Sequence, residues 1–160
     1  ALPIFNPASR AGGSAFNQLA GYIFGNNAQK RKMEMTTPVF TDTTGNMQFV
    51  LGSNFKAIHD HMLISHTMTF KDVEALPAPD SKEVDAKQVH GGLFACSMFN
   101  GAALEQDVNR EHERLEKTMI KDKLVPKSEW ILARYNDPFT NPLVRRNEIL
   151  IPIERGFSLW

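Results

Sequence analysis

The amino-acid sequence predicts an α+β fold in which two helices pack on an antiparallel sheet or an open barrel. Hydrophobic residues recur at helical spacing over residues 14–24 and again over about 102–121. Two runs of strand-forming residues follow each of these segments, so the order helix, strand, strand occurs twice. The halves share no obvious sequence identity, and 160 residues suffice for one core rather than two ordinary domains.

The chain is expected to begin with an irregular arm, since residues 1–13 hold two prolines and a Gly12-Gly13 pair without periodicity. Ser14 is the expected N-cap of the first helix. The apolar side chains of this helix follow at i, i+3, i+4 and i+7, namely Phe16, Leu19, Ala20 and Ile23. Gly25 supplies the usual stop, so the helix should end near Phe24.

A β-hairpin is predicted next. Residues 33–40 alternate between two faces, and Pro38 among them suggests an edge strand or a bulge. The turn-forming residues 43–46 then lead to a second period-two run over 47–51.

The second half predicts a longer helix and two strands. The helical stripe consists of Leu104, Val108, Leu115 and Met119. Strands are expected over 129–135 and 148–153, with turn residues between them. Between the halves lie a Met/His-rich segment (59–70), a proline-containing linker (76–80) and an apolar run (93–99), and we expect strand in the first and last of these.

Composition argues against several classes of partner. Lys and Arg together number 18, as do Asp and Glu, so no net charge favours nucleic acid. No apolar run approaches the ~20 residues that cross a bilayer, so no membrane span is predicted. The start at Ala1 shows no leader, although a targeting peptide removed earlier remains open.

Catalytic motifs find little support, so the sequence predicts no enzyme. Neither a GxSxG elbow nor a phosphate-binding GxxxxGK[ST] loop occurs. Cys96, the single cysteine, lies in an apolar run and is expected to be a buried structural thiol.

Histidines are the natural ligands for a metal or for haem iron. His59 and His61 would share one strand face, but no further ligand completes a metal site, so surface histidines are the simpler interpretation. His66 falls in register with apolar residues and is a candidate for haem iron, beside the alternative of a core histidine. His112 is expected to be solvated on its helix.

Four motifs, the first of them in two parts, carry a resemblance to a known family. They are Phe16–Asn27 followed by Lys32–Val39, then Met47–Leu51, Arg134–Thr140 and Arg145–Leu150. In this order they resemble the SOUL haem-binding family, particularly its plant and algal branch. The matches are spread over about 14–153, which we take as the family domain, with 154–160 as a C-terminal tail.

The resemblance implies a distorted antiparallel β-barrel flanked by two α-helices and built from two pseudo-repeats of helix-strand-strand. It also implies non-covalent binding of haem or another tetrapyrrole, as a non-enzymatic carrier or buffer, in an apolar cleft beside the first helix. By matching position, the cleft residues would be Phe16, Leu19, Tyr22, Ile23, Met33 and Met35, with Lys30 and Arg31 near the propionates. The closest branch implies a plastid location, with the cytoplasm as the alternative.

The sequence also departs from the family pattern. Residues 53–75 look like an insertion, and the strand that usually precedes the first helix finds no counterpart in 1–13. An alternative function is therefore an interaction module, or an accessory subunit of a larger complex such as a plastid pigment-protein complex, that keeps the fold without haem. The insertion and the C-terminal tail would then contact a protein partner. An enzyme acting on a bound porphyrin is the third possibility.

Overall fold

The computed structural model describes residues 2–4, 12–51, 76–85 and 91–154. These residues form two α-helices, α1 (Gly12–Ile23) and α2 (Glu105–Lys121), and a 3₁₀ helix (Pro142–Val144). They also form six strands: β1 (Leu2–Ile4), β2 (Val39–Asp42), β3 (Met47–Phe49), β4 (Leu93–Asn100), β5 (Ile131–Arg134) and β6 (Arg146–Ile153). The predicted α+β class is confirmed.

The described residues divide into two compact units. Unit 1 takes those within Ala1–Val39 and Thr44–Gly91, and unit 2 takes those within Phe40–Thr43 and Gly92–Trp160. Each unit has its own cluster of buried apolar side chains, where the sequence led us to expect one core.

Helix α1 of unit 1 starts two residues earlier than expected. Gly12 and Gly13 are already helical, so the prediction of Ser14 as N-cap was wrong. The end of the helix agrees with prediction, because Gly25 has a φ of 114°, which glycine adopts without strain. Asn27 then fixes the following loop: its side-chain amide donates to the carbonyls of Tyr22 and Arg31, and its side-chain oxygen accepts from the Arg31 N–H.

Strands β1 and β2 correct two predictions. Strand β1 pairs antiparallel with β3, so the arm over 1–13 is not irregular throughout. Its partner lies more than 40 residues away in the chain, so no local pattern announces it. The strand expected over 33–40 is reduced to its last two residues, since Pro38 cannot donate a ladder hydrogen bond and β2 begins just after it.

The core of unit 1 forms where the apolar face of α1 meets β3. Its buried members are Ala15, Leu19, Tyr22, Ile23, Met33, Met47, Phe49, Leu51 and Val84. Phe16 packs against it with its ring edge-on to Phe49, at 5.5 Å between ring centroids. The helical periodicity of the sequence therefore identified the inward face of α1 correctly.

Unit 2 is an antiparallel sheet covered by α2. Its strand order is β2-β5-β6-β4, an open row, and β4 pairs with β6 from Leu93 opposite Ile153 to Asn100 opposite Arg146. The predicted positions of β4, β5, β6 and α2 are confirmed to within a few residues. The described strands do not close into a barrel within either unit, so the barrel and its pseudo-repeats stay predictions.

One residue that the sequence pattern assigned to the buried stripe of α2 is not buried. Leu104 is the residue before α2 and is 63% exposed, so it does not belong to the buried stripe. The buried positions on α2 are Val108, Glu111, Leu115 and Met119. Glu111 is tolerated inside because Ser97 of β4 donates a hydrogen bond to it and Arg114 forms an ion pair with it at 3.2 Å.

Candidate functional site

The residues that the resemblance places in a cleft mostly pack into the core of unit 1. Leu19, Tyr22 and Ile23 are at most 1% exposed, and Met33 is buried with them. Met35, in contrast, is 40% exposed, so Met33 and Met35 do not present one shared apolar surface. The assignment of these side chains to a binding cleft stays a prediction.

The predicted basic residues already have local partners. Lys30 Nζ lies 2.9 Å from Asp80 Oδ2, in an ion pair that is largely exposed. The backbone of Arg31 is held by Asn27. A ligand carboxylate at Lys30 would therefore compete with Asp80.

A groove of about 800 Å³ runs beside α1. Its α1 wall consists of Gly13, Ser14, Asn17, Gln18, Gly21 and Tyr22. The facing residues are Asn26, Asp80, Ser81 and Val84. Of the eight predicted binding residues, Tyr22 alone lines this groove, and most of the other groups are small or polar.

Tyr22 is fixed in place rather than free to meet a ligand. Its hydroxyl donates to the Pro77 carbonyl at 2.9 Å, and burial raises the pKa of the phenol. The side chain is therefore neutral at physiological pH and anchors the segment around Pro77 to α1.

A second cavity, of about 460 Å³, lies in unit 2 beside α2. The helix contributes His112, Glu116, Met119 and Ile120, which share one face at i, i+4, i+7 and i+8. Residues 124 and 126–130, with Ile151 of β6, form the remaining lining. Hydrogen bonds hold this segment against β6, from the Lys127 N–H to the Pro152 carbonyl and from the Glu154 N–H to the Val125 carbonyl.

His112 is the one histidine within the described residues that lines a cavity. Its ring lies 5.5 Å from the Trp130 ring, at an angle of 42°. Its Nε2 lies 3.6 Å from Glu116 Oε1, which is too long for a hydrogen bond. The expectation that His112 is solvated is confirmed only in part, because its side chain is 24% exposed and the Trp130 ring lies against it. The i+7 spacing to Met119 was the signal in the sequence that could have shown this.

The opposite face of the unit 2 sheet carries a polar network that the sequence did not reveal. The Tyr135 hydroxyl donates to Glu148 Oε2 at 2.7 Å, and the Arg146 guanidinium donates to Glu148 Oε1 while lying 4.6 Å above the Tyr135 ring. Burial, together with the hydrogen bond to Glu148 and its negative charge, raises the pKa of Tyr135 to about 12. For Glu148, burial opposes ionisation, but the hydrogen bonds from Tyr135 and Arg146 and the Arg146 charge leave its pKa lowered.

Cys96 lies on this same face and is exposed, so the prediction of a buried thiol was wrong. Side chains alternate along β4, and Ser97 and Phe99 take the buried positions. Desolvation and the nearby Glu148 carboxylate raise the pKa of the thiol, which makes Cys96 a poor nucleophile.

Within the described ranges, no three His, Cys, Asp or Glu side chains come together in a way that could hold a metal ion. His59, His61 and His66 lie outside those ranges, as do the 53–75 insertion and most of the C-terminal tail. No described helix is both long enough and apolar enough to cross a membrane.

Comparison with known proteins gives one result that covers nearly the whole chain. No curated protein matches the sequence significantly. The family model described as SOUL heme-binding protein matches residues 5–152, which includes both helices and both cavities. The chain therefore belongs to the SOUL heme-binding protein family.

Proposed function

We propose that this protein binds haem or a related tetrapyrrole non-covalently and acts as a carrier or buffer rather than as an enzyme. The observation that carries the proposal is the family match over residues 5–152. The single thiol, Cys96, is a poor nucleophile because desolvation and the Glu148 carboxylate raise its pKa. We further propose a plastid location. We also propose that the fold is a barrel built from two pseudo-repeats, because the element order β-α-β-β occurs twice along the chain.

The described residues include groups that fit a tetrapyrrole. Ligand pockets typically enclose about 300–1,000 Å³ and are mainly apolar with a few polar groups. Both cavities have volumes in that range, and more of the residues that line the cavity beside α2 have large apolar side chains. Haem would supply an iron centre there, and His112 and Lys127 are groups that hold iron and carboxylates respectively.

The cleft beside α1 remains the site that the resemblance implies. At that site, Phe16 and Met35 would contact the macrocycle, since they are the predicted apolar residues with exposed surface. Leu19, Ile23 and Met33 would support α1 from within the core.

A haemin titration of the purified chain tests the function. We expect a saturable change in Soret absorbance with a stoichiometry near one or two and a dissociation constant of micromolar or below, about −8 kcal/mol or better. Quenching of tryptophan fluorescence should saturate at the same ratio. An absorbance change that rises linearly without saturation would rule out the carrier function.

An interaction module without haem is the second candidate, and one observation favours it. On β4, Leu93, Phe94 and Met98 are 46%, 44% and 57% exposed, an unusual density of apolar surface on one strand. Deletion of residues 53–75 separates the two functions. A carrier should still bind haemin after the deletion, whereas a module that uses the insertion should lose its protein partner.

A further inference from the structure

We propose that the cavity beside α2 is a haem-binding site in which the imidazole of His112 ligates the iron. This inference rests on the proposed function and assigns it a site in unit 2, whereas the sequence and the resemblance pointed to α1. The carrying observation is that one histidine, one tryptophan and an apolar floor meet in a cavity of about 460 Å³.

The cavity offers a flat ligand both a floor and an aromatic wall. Met119 and Ile151 are each 3% exposed and close its inner side, and Trp130 lies along its wall. Ile120 and Leu124 extend the apolar surface outward, at 77% and 37% exposed. A macrocycle seated here would cover side chains that the folded chain otherwise leaves in contact with water.

The imidazole of His112 is available for coordination. Its Nε2 has no hydrogen-bond partner within the described residues, since Glu116 Oε1 lies just beyond bonding distance. Contact with Trp130 restricts the orientation of the ring, so less side-chain entropy is lost on binding. Neutral imidazole is the commonest protein ligand of haem iron.

The charged groups around the cavity favour ferric haem over a porphyrin without metal. Glu116 places a carboxylate beside the histidine, where it attracts the positive charge of a ferric centre. Lys127 lines the same cavity and has no ion pair within the part of the chain that the structure describes, so it can meet a propionate. Glu129 is the remaining acid in the lining, and its repulsion leaves Lys127 as the preferred contact for the ligand carboxylates.

The test compares His112→Ala and His112→Gln with His66→Ala, which removes the histidine that the sequence offered as a candidate for haem iron. A Trp160→Phe background leaves Trp130 as the single tryptophan, so fluorescence quenching reports on this cavity. Each variant is titrated with haemin and with iron-free protoporphyrin IX, and the Soret band and electron paramagnetic resonance spectrum of each ferric complex are recorded. Circular dichroism checks that each variant is folded.

We expect the His112 variants to bind haemin about tenfold or more weakly, with a changed Soret band and ferric spectrum. Their affinity for protoporphyrin IX should change by less than about twofold, because the imidazole acts through the iron. His66→Ala should match the parent protein. A second pair of variants avoids the histidine altogether: Ile120→Glu should weaken haemin binding, whereas Val144→Glu, at a site that is 63% exposed and outside the cavity lining, should not.

The failures can be told apart. If the parent protein binds haemin and the His112 variants keep its affinity and spectrum, the proposed site is wrong and the proposed function stands. If His66→Ala changes the spectrum instead, the iron is ligated outside this cavity and the site is again wrong. If the parent protein shows no saturable binding, the proposed function fails and the site fails with it.

Discussion

Helices α1 and α2 both border a cavity, but the two cavities differ in what the helix offers them. Helix α1 turns its large apolar side chains into the core of unit 1 and presents mostly small and polar residues to its groove. Helix α2 presents His112, Met119 and Ile120 to its cavity, although its mean hydropathy is lower. An apolar stripe on a helix therefore indicates what is buried in the fold, and a binding surface has to be found from what the fold leaves uncovered.

The largest expected effect concerns residues that were assigned to binding. Leu19→Ala should lower the free energy of unfolding by about 2–5 kcal/mol, since it removes a fully buried side chain from the unit 1 core. Ile120→Ala should change it by about 0.5 kcal/mol or less, because Ile120 is 77% exposed on α2. Urea denaturation followed by circular dichroism measures both values.

The same two variants separate packing from binding. At temperatures where Leu19→Ala remains folded, its haemin affinity should match that of the parent protein, whereas Ile120→Ala should bind more weakly. If Leu19→Ala is stably folded but binds haemin weakly, the binding surface lies beside α1, as the resemblance implied.

Local patterns in the sequence predicted the elements well and their partners poorly. The ranges of α2, β4, β5 and β6 follow from periodicity and turn residues, which are local properties. The pairing of β1 with β3 and the burial of Glu111 depend on residues remote in sequence, and no local pattern contains them. Cys96 was misplaced because a continuous apolar run does not show which of its alternating positions faces the helix.

The candidate site was predicted even less completely, for a related reason. Burial of Leu19, Tyr22 and Ile23 follows from the helical stripe, but whether a stripe meets a core or a ligand is decided by packing. Trp130 comes to lie beside His112 only through the loop that leads from α2 into β5. His112 therefore looked solvated among its charged neighbours in sequence.

The two tyrosines extend the comparison to pH. Burial raises the pKa of Tyr22 in unit 1, whereas Tyr135 in unit 2 reaches about 12 through burial and its contact with Glu148. Since the chain has only these two tyrosines, less than half of its tyrosine side chains should be ionised at pH 10 in the folded protein. Ultraviolet absorbance during alkaline titration measures this, and Glu148→Gln should make Tyr135 ionise earlier while leaving Tyr22 unchanged.

The direction of the stability change follows from the same pKa values. A raised tyrosine pKa favours the folded state fully below the ordinary tyrosine pKa of about 10, and this contribution is lost as the pH rises towards 12. The lowered pKa of Glu148 acts at the other end: its contribution is present above the ordinary glutamate pKa and is lost as the pH falls through the lowered value. Tyr135→Phe provides the control. It should abolish the loss of stability at alkaline pH that comes from Tyr135 and keep the loss that comes from Tyr22.

The smallest expected effect distinguishes two lysines, one beside each cavity. Lys30→Ala should change the free energy of unfolding by less than about 1 kcal/mol, because its ion pair with Asp80 is exposed and screened by water. Lys30→Ala should also change haemin affinity by less than about twofold, since the ammonium group of Lys30 already forms an ion pair with Asp80. Lys127→Ala should weaken haemin binding several-fold without a comparable loss for haemin dimethyl ester, which lacks the carboxylates. If Lys30→Ala instead weakens haemin binding more than Lys127→Ala does, the haem propionates and the rest of the ligand bind beside α1.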